Sequence, residues 1–217
     1  MAISADMELE KRISTVLFEY IAPALRERGI NISQVNDRFL DYKGIDAIVN
    51  GEPADIKAHQ LPPGRKPNAY AFERSSRMHR DGILKPEIVD GWLVSRKKRT
   101  RSYLIVYYRK NGHEEITDLY MVYVDREKVL DLIEKEGIDP FWDDEELKNE
   151  ASKITVLPNN AVKYYYGDKK AVSVTVSRQL PECPTNFVVR HESIIGISEW
   201  HYHIIFDNPV PITNTRK

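Results

Sequence analysis

Apolar and polar positions follow two rhythms along this chain. From residue 9 to residue 25, Leu9, Ile13, Val16, Leu17, Tyr20, Ile21, Ala24 and Leu25 recur with a 3.6-residue period, which predicts an amphipathic helix. Asp6 is placed to cap it and Gly29 to stop it, while Pro23 falls inside the pattern and should kink the last turns. The rhythm then shortens. Residues 41–49 and 54–59 read as two strands around Asn50-Gly51, and AYAFERS at 69–75 as a third. HQLPPGRKPN between them is turn-rich, and the polar stretch 76–91 reads as a loop or short helix. SYLIVYY at 102–108 and YMVYV at 120–124 have the strongest strand character.

Helical spacing returns in DREKVLDLIEKEG at 125–137, and a second helix is expected from Asp143, with Glu146 completing a capping box. KYYYG and AVSVTVS then predict a hairpin, followed by strands in NFVVRH and EWHYHIIF. The order is helix, three strands, a mixed middle and more sheet, which is an α/β or α+β arrangement with the first helix covering a sheet. No composition change marks a linker, so a single domain over 1–217 is expected, with an elaborated C-terminal part.

The two runs around Asn50-Gly51 carry charges where apolar residues are expected. Asn-Gly between strands favours a two-residue type I′ turn, because both central residues need positive φ. Paired residue numbers then sum to 101, which sets Ala47 opposite Ala54 and Asp46 opposite Asp55. Side chains alternate, so Asp55 and Lys57 share a face while Ile56 points away. Two opposed aspartates destabilise a sheet unless a cation compensates them. Lys57 supplies one charge, and a divalent ion would supply two. Ile45, Ala47, Ile48, Val49, Ala54, Ile56 and Ala58 make both strands look buried on both faces, which argues against a solvated salt-bridge cluster without excluding it. Pro53 removes a ladder donor and leaves the Asp46–Asp55 register open to a shift.

Thirty-two basic residues nearly cancel thirty-three acidic ones, so bulk charge names no polyanionic partner and any such surface must be local. Cys183 is the single cysteine, which excludes an internal disulfide and a cysteine-rich zinc site and favours a reducing compartment. With no secretory pattern and no apolar run of about 18 residues, a cytoplasmic location without a membrane partner is the expectation.

Asp46 together with Asp55-Ile56-Lys57 resembles the PD-(D/E)xK nuclease superfamily, the restriction-endonuclease-like fold. The resemblance covers roughly residues 7 to 108, with Ile45 where the family's proline would stand. It implies a mixed central sheet flanked by helices, a nuclease-like core over about 7–125 and a strand-rich C-terminal elaboration over about 155–217. It also implies Mg²⁺- or Mn²⁺-assisted phosphodiester hydrolysis, with DNA as the expected substrate. Asp46, Asp55 and the Ile56 carbonyl would bind the ion, and Lys57 would orient water or stabilise charge on phosphate. Family members often add an acid from the first helix, and of Glu8, Glu10 and Glu19, Glu10 lies nearest the apolar stripe. Glu73, following Ala69 and Ala71 on one strand face, is a candidate extra ligand or water-binding group. Arg65 and Lys66, after the motif strand, and Arg96, Lys97 and Lys98, in the densest basic run, are candidate phosphate contacts. Many nucleases of this fold dimerise, so a homodimer is compatible with the resemblance. A non-catalytic nucleic-acid-binding or interaction protein that retains the core is the alternative. His201 and His203 share a strand face without an evident third ligand, and Tyr164, Tyr165 and Tyr166 suit hairpin packing better than base stacking.

Overall fold

The computed structural model describes residues 13, 16–35, 45–80, 83–113, 115–168 and 171–211. Its contacts fall into two compact units, Met1–Pro67 with Arg99–Asp125 and Ser198–Lys217, and Asn68–Lys98 with Arg126–Ile197. In chain order the described strands are β1 (Ile32–Gln34), β2 (Ala47–Val49), β3 (Glu52–Gln60), β4 (Ala69–Arg80), β5 (Ile83–Asp90), β6 (Ser102–Lys110), β7 (Glu115–Asp125), β8 (Lys153–Val156), β9 (Val162–Tyr165), β10 (Val172–Val176), β11 (Thr185–Arg190) and β12 (Trp200–Pro211). The α-helices are α1 (Ala22–Arg26), α2 (Arg126–Lys135), α3 (Asp144–Asn149) and α4 (His191–Ile197).

In the first unit Ile13, Val16, Leu17, Ile21 and Leu25 of the helical stripe lie in the core, but Tyr20 and Ala24 are exposed and Ala22 is buried in their place, because a π turn shifts the phase of the helix by one residue. The expected kink takes the form of a π-helical turn at Leu17–Ile21, closed by the Ala22 amide donating to the Leu17 carbonyl, which leads into α1. Pro23 accounts for it. Proline has no N–H, and its ring would meet the carbonyl four residues back, a conflict that one extra residue in the turn relieves. Glu19 lies on the exposed side.

The first sheet runs β1-β2-β3-β6-β7-β12, antiparallel throughout except for the parallel pair β3–β6. This is the mixed sheet of the expected α+β class. Ala54 and Ile56 on β3, Leu104, Val106 and Tyr108 on β6, and Leu119, Met121 and Tyr123 on β7 pack with the helical residues. The alternate positions form the opposite face, namely Asp55, Lys57 and His59, then Tyr103, Ile105 and Tyr107, then Asp118, Tyr120 and Val122.

The second unit's sheet is antiparallel, in the order β5-β4-β11-β10-β9-β8. Tyr70, Phe72, Val162, Tyr164, Val172, Val174, Phe187 and Val189 turn inward from it, and α4 packs on β11, β4 and α2. The capping box at Asp143 forms as expected: its carboxylate accepts from the Glu145 and Glu146 amides, and Glu146 accepts from the Asp143 amide at 2.8 Å. Residues 76–91 differ from the expected loop. β4 runs on to Arg80 and pairs with β5. β5 is an edge strand, where a proline is tolerated, and Pro86 in its sequence breaks the alternation that would announce a strand. β4, expected with the motif strands in the nuclease-like core, lies in this second sheet, while β12 from the C-terminal part pairs with β7 in the first.

Candidate active site

The hairpin that carries the acidic residues forms with the turn its sequence demands. Asn50 and Gly51 take φ of 50° and 89°, and the register sets Val49 opposite Glu52 and Ala47 opposite Ala54. Asn50 also ties the turn to the start of β1, its side chain accepting from the Asn31 amide at 2.8 Å. Pro53 costs no ladder bond here. It sits opposite Ile48, so its backbone faces β6, where its carbonyl accepts from the Arg101 amide at 3.1 Å just as that strand begins.

At Asp46 the ladder departs from the expected pairing. The Asp46 amide donates to the Ala54 carbonyl at 2.9 Å, β2 starts only at Ala47, and Asp46 is not the cross-strand partner of Asp55. Instead its side chain reaches along the edge of β3 that β2 has vacated. Asp46 Oδ2 accepts the Ile56 amide at 2.9 Å and satisfies a donor the ladder leaves open. A strand residue's N–H and C=O point to the same side, so the Ile56 carbonyl lies on that edge too.

The carboxylates nevertheless meet. Asp55 is 4% exposed and its carboxyl hydrogen-bonds to that of Asp46, while Lys57 Nζ lies 3.0 Å from Asp55 Oδ2. Burial pushes the Asp55 pKa up to about 7; Lys57 pulls it down, and the hydrogen bond and negative charge of Asp46 push it up again. Burial outweighs the lysine, so around neutrality Asp55 keeps its proton over part of the population. Lys57 is about a quarter exposed and Asp46 half-buried, which leaves the cluster open on one side.

This donor set fits a small hard divalent cation. Two carboxylates from adjoining strands and a main-chain carbonyl supply only oxygen, and magnesium commonly takes one or two carboxylates and fills its remaining positions with water or substrate oxygens. Such an ion would supply the positive charge that the Asp55 proton otherwise provides. Among the described residues no third Asp, Glu, His or Cys joins the pair.

The structure thus brings together Asp46, Asp55, Lys57 and the Ile56 backbone. Glu10 lies outside the described residues. Glu73 is on β4 in the second unit, opposite Asn186, and accepts a hydrogen bond from Ser76 Oγ at 3.3 Å. Arg65 and Lys66 are exposed in the β3–β4 loop. Arg96 and Lys97 are exposed and Lys98 half-buried after β5, with the Arg96 guanidinium 5.9 Å from the Phe141 ring. His203 stacks on Tyr120 at 3.9 Å and contacts Asp118 at 3.3 Å, which gives it a structural partner. Asp118, bonded also to Arg109 at 3.4 Å, is a buried acid that sequence reasoning passed over. Its signal was available, since it keeps the parity of Tyr120 and Val122 at the start of the apolar run 119–124.

No known protein family's profile matches the chain, and no curated protein matches it. Among solved structures it is similar to the restriction endonuclease BglI bound to its DNA recognition sequence, at 9% identity and a TM-score of 0.34, over 90% of this chain and 73% of that one. A likeness so distant carries no argument about activity.

Proposed function

We propose that this protein is a metal-dependent nuclease that hydrolyses phosphodiester bonds, with DNA as its substrate. The observation that supports the reading is the contact of two carboxyls from β3 and the entrance to β2, one of them buried, with a lysine 3.0 Å away. Buried acid pairs that destabilise their own fold are uncommon without a functional reason.

Asp46 and Asp55, with the Ile56 carbonyl, would hold Mg²⁺ or Mn²⁺. When bound, the ion supplies Lewis-acid polarisation of a phosphoryl oxygen and makes water more acidic. Asp46 is pre-oriented by the Ile56 amide, so it need not reorganise to act. Lys57, in contact with Asp55 at 3.0 Å, would place its ammonium charge beside a phosphate oxygen on which charge accumulates or beside the attacking water. Glu10 is proposed as a further acid for a second ion or an outer-shell water. Arg65, Lys66, Arg96, Lys97 and Lys98 are proposed as sequence-independent contacts to the nucleic-acid backbone.

The test combines calorimetric titration of Mn²⁺ and Mg²⁺ with cleavage of plasmid and oligonucleotide substrates. Metal-dependent cleavage is expected, and Asp46→Ala, Asp55→Ala and Lys57→Ala should each lower it by on the order of a hundredfold or more. Absence of metal-binding heat, together with cleavage unchanged in all three variants, would overturn the proposal. DNA binding with steep salt dependence and no cleavage would instead favour a non-catalytic binding protein.

A further inference from the structure

The three consecutive tyrosines of the C-terminal part divide between two environments. Tyr164 and Tyr166 are buried, and the Tyr166 hydroxyl donates to the Leu147 carbonyl at 2.7 Å. Tyr165 turns to the opposite face of the sheet, directly across from Lys153 on β8 and two residues from Lys163 on its own strand. Both ammonium groups stand over its ring, at 5.9 and 5.2 Å from the centroid. This face opens into a cleft of about 430 Å³, bounded on the far side by Arg190 and floored by Ser173 and Val188, which pair across β10 and β11. Asp168 is the acid on its lining. Among the described residues no carboxylate forms an ion pair with Lys153, Lys163 or Arg190.

We infer that this cleft binds a nucleotide unit, with the base lying against Tyr165 and the phosphate between Lys153, Lys163 and Arg190. Three cations that have no carboxylate ion pair among the described residues line one recess against a single acid, Asp168, and this excess of positive charge calls for an anion. A bare anion would use neither the tyrosine face nor the small-residue floor, whereas a flat base fills both. The cleft volume falls in the range of about 300–1,000 Å³ typical of small-ligand sites. The lysines stand over the ring by cation–π attraction, and a base that enters against Tyr165 takes their place on the ring while their flexible stems carry the ammonium groups to its phosphate. The same chemistry serves a free mononucleotide and one unit of a strand. The site lies wholly within the second unit and does not depend on the nuclease reading.

Full-length protein in EDTA is titrated calorimetrically with adenosine 5′-monophosphate, with a single-stranded eight-nucleotide oligodeoxyadenylate and with inorganic phosphate. Binding of the mononucleotide alone identifies a free nucleotide as the source, and binding of the oligonucleotide alone or more tightly identifies a strand; either supports the inference. Tyr165→Ala should weaken binding by on the order of tenfold, Tyr165→Phe should preserve it, and Lys163→Gln and Arg190→Gln should each weaken it. In the oligonucleotide arm each of these two charge removals should lower the slope of log affinity against log salt by about one. No binding of either nucleotide probe, or affinity indifferent to Tyr165→Ala and matched by inorganic phosphate, overturns the inference. Should Tyr165→Ala fail to fold, Lys153→Glu combined with Lys163→Glu carries the test, and retained binding in that variant refutes the site.

Discussion

Replacing Asp55 by asparagine isolates the electrostatic strain of the candidate site. Burial raises this carboxyl from 3.8 to about 7, with Lys57 opposing and Asp46 adding to the shift. Three units correspond to on the order of 4 kcal/mol between the two protonation states. The folded-state pKa lies above the unfolded one, so the contribution of the protonated carboxyl is complete below about pH 4 and is lost as pH rises through about 7. About 1.5 kcal/mol of it is already gone at pH 5, which leaves roughly 2–3 kcal/mol to be lost by pH 8.5. Asparagine keeps the shape and never ionises. In EDTA the variant's advantage over wild type should therefore grow by that amount between pH 5 and 8.5, a shift of roughly 1 M in the urea midpoint. Millimolar Mg²⁺ at pH 8.5 should raise the wild-type midpoint and leave the variant unmoved, because a ligand stabilises only the state that binds it. The opposing effect is the Lys57–Asp55 contact at 3.0 Å, which asparagine weakens. If that contact governed, the variant would be less stable at pH 8.5. That result, or a difference between the two proteins that does not change with pH, would refute the account of a buried acid held at an energetic cost.

Three further substitutions probe the framework. Gly91→Ala should destabilise by about 3 kcal/mol or more in thermal unfolding, because a Cβ there would lie 2.4 Å from the Glu73 carbonyl oxygen, and that oxygen is held by the Leu93 amide. Asp118→Ala leaves Arg109 and His203 facing an uncharged group, and a loss of about 3 kcal/mol is expected in urea unfolding at pH 6. Asp143→Ala removes the cap from two amides of α3 and should cost about 1 kcal/mol, with Asp143→Ser restoring most of it.

The features legible in advance share a physical basis. Turn and cap preferences act over four residues or fewer, so Asn50-Gly51 specified its hairpin and Asp143 with Glu146 specified a helix start without help from distant chain. Strand parity is equally local, and it put Asp55 and Lys57 on one face whatever the neighbours. The helical stripe of residues 9–25 was visible for the same reason, although the π turn at Leu17–Ile21, ahead of Pro23, was read only as a kink. The β4–β5 hairpin escaped notice because Pro86 breaks the alternation of β5, which only an edge strand tolerates. Tyr165 was read with its two neighbours as packing, although strand alternation assigns it the opposite face.

The sequence by itself determined which side chains could gather: alternation, turn type and capping tie Asp55 to Lys57 and place the Ala47–Ala54 pair next to them. Tertiary structure decided what that gathering means. β3 finds its parallel partner β6 across a long stretch of intervening chain, and the surroundings this creates bury Asp55 deeply enough to shift its titration to neutrality. Only the folded chain shows that Asp46 caps a backbone donor on the open edge of β3 rather than pairing across it. Hydrogen-bond preferences of a turn are written in neighbouring residues, whereas desolvation depends on everything that surrounds a group, and no stretch of four residues encodes it.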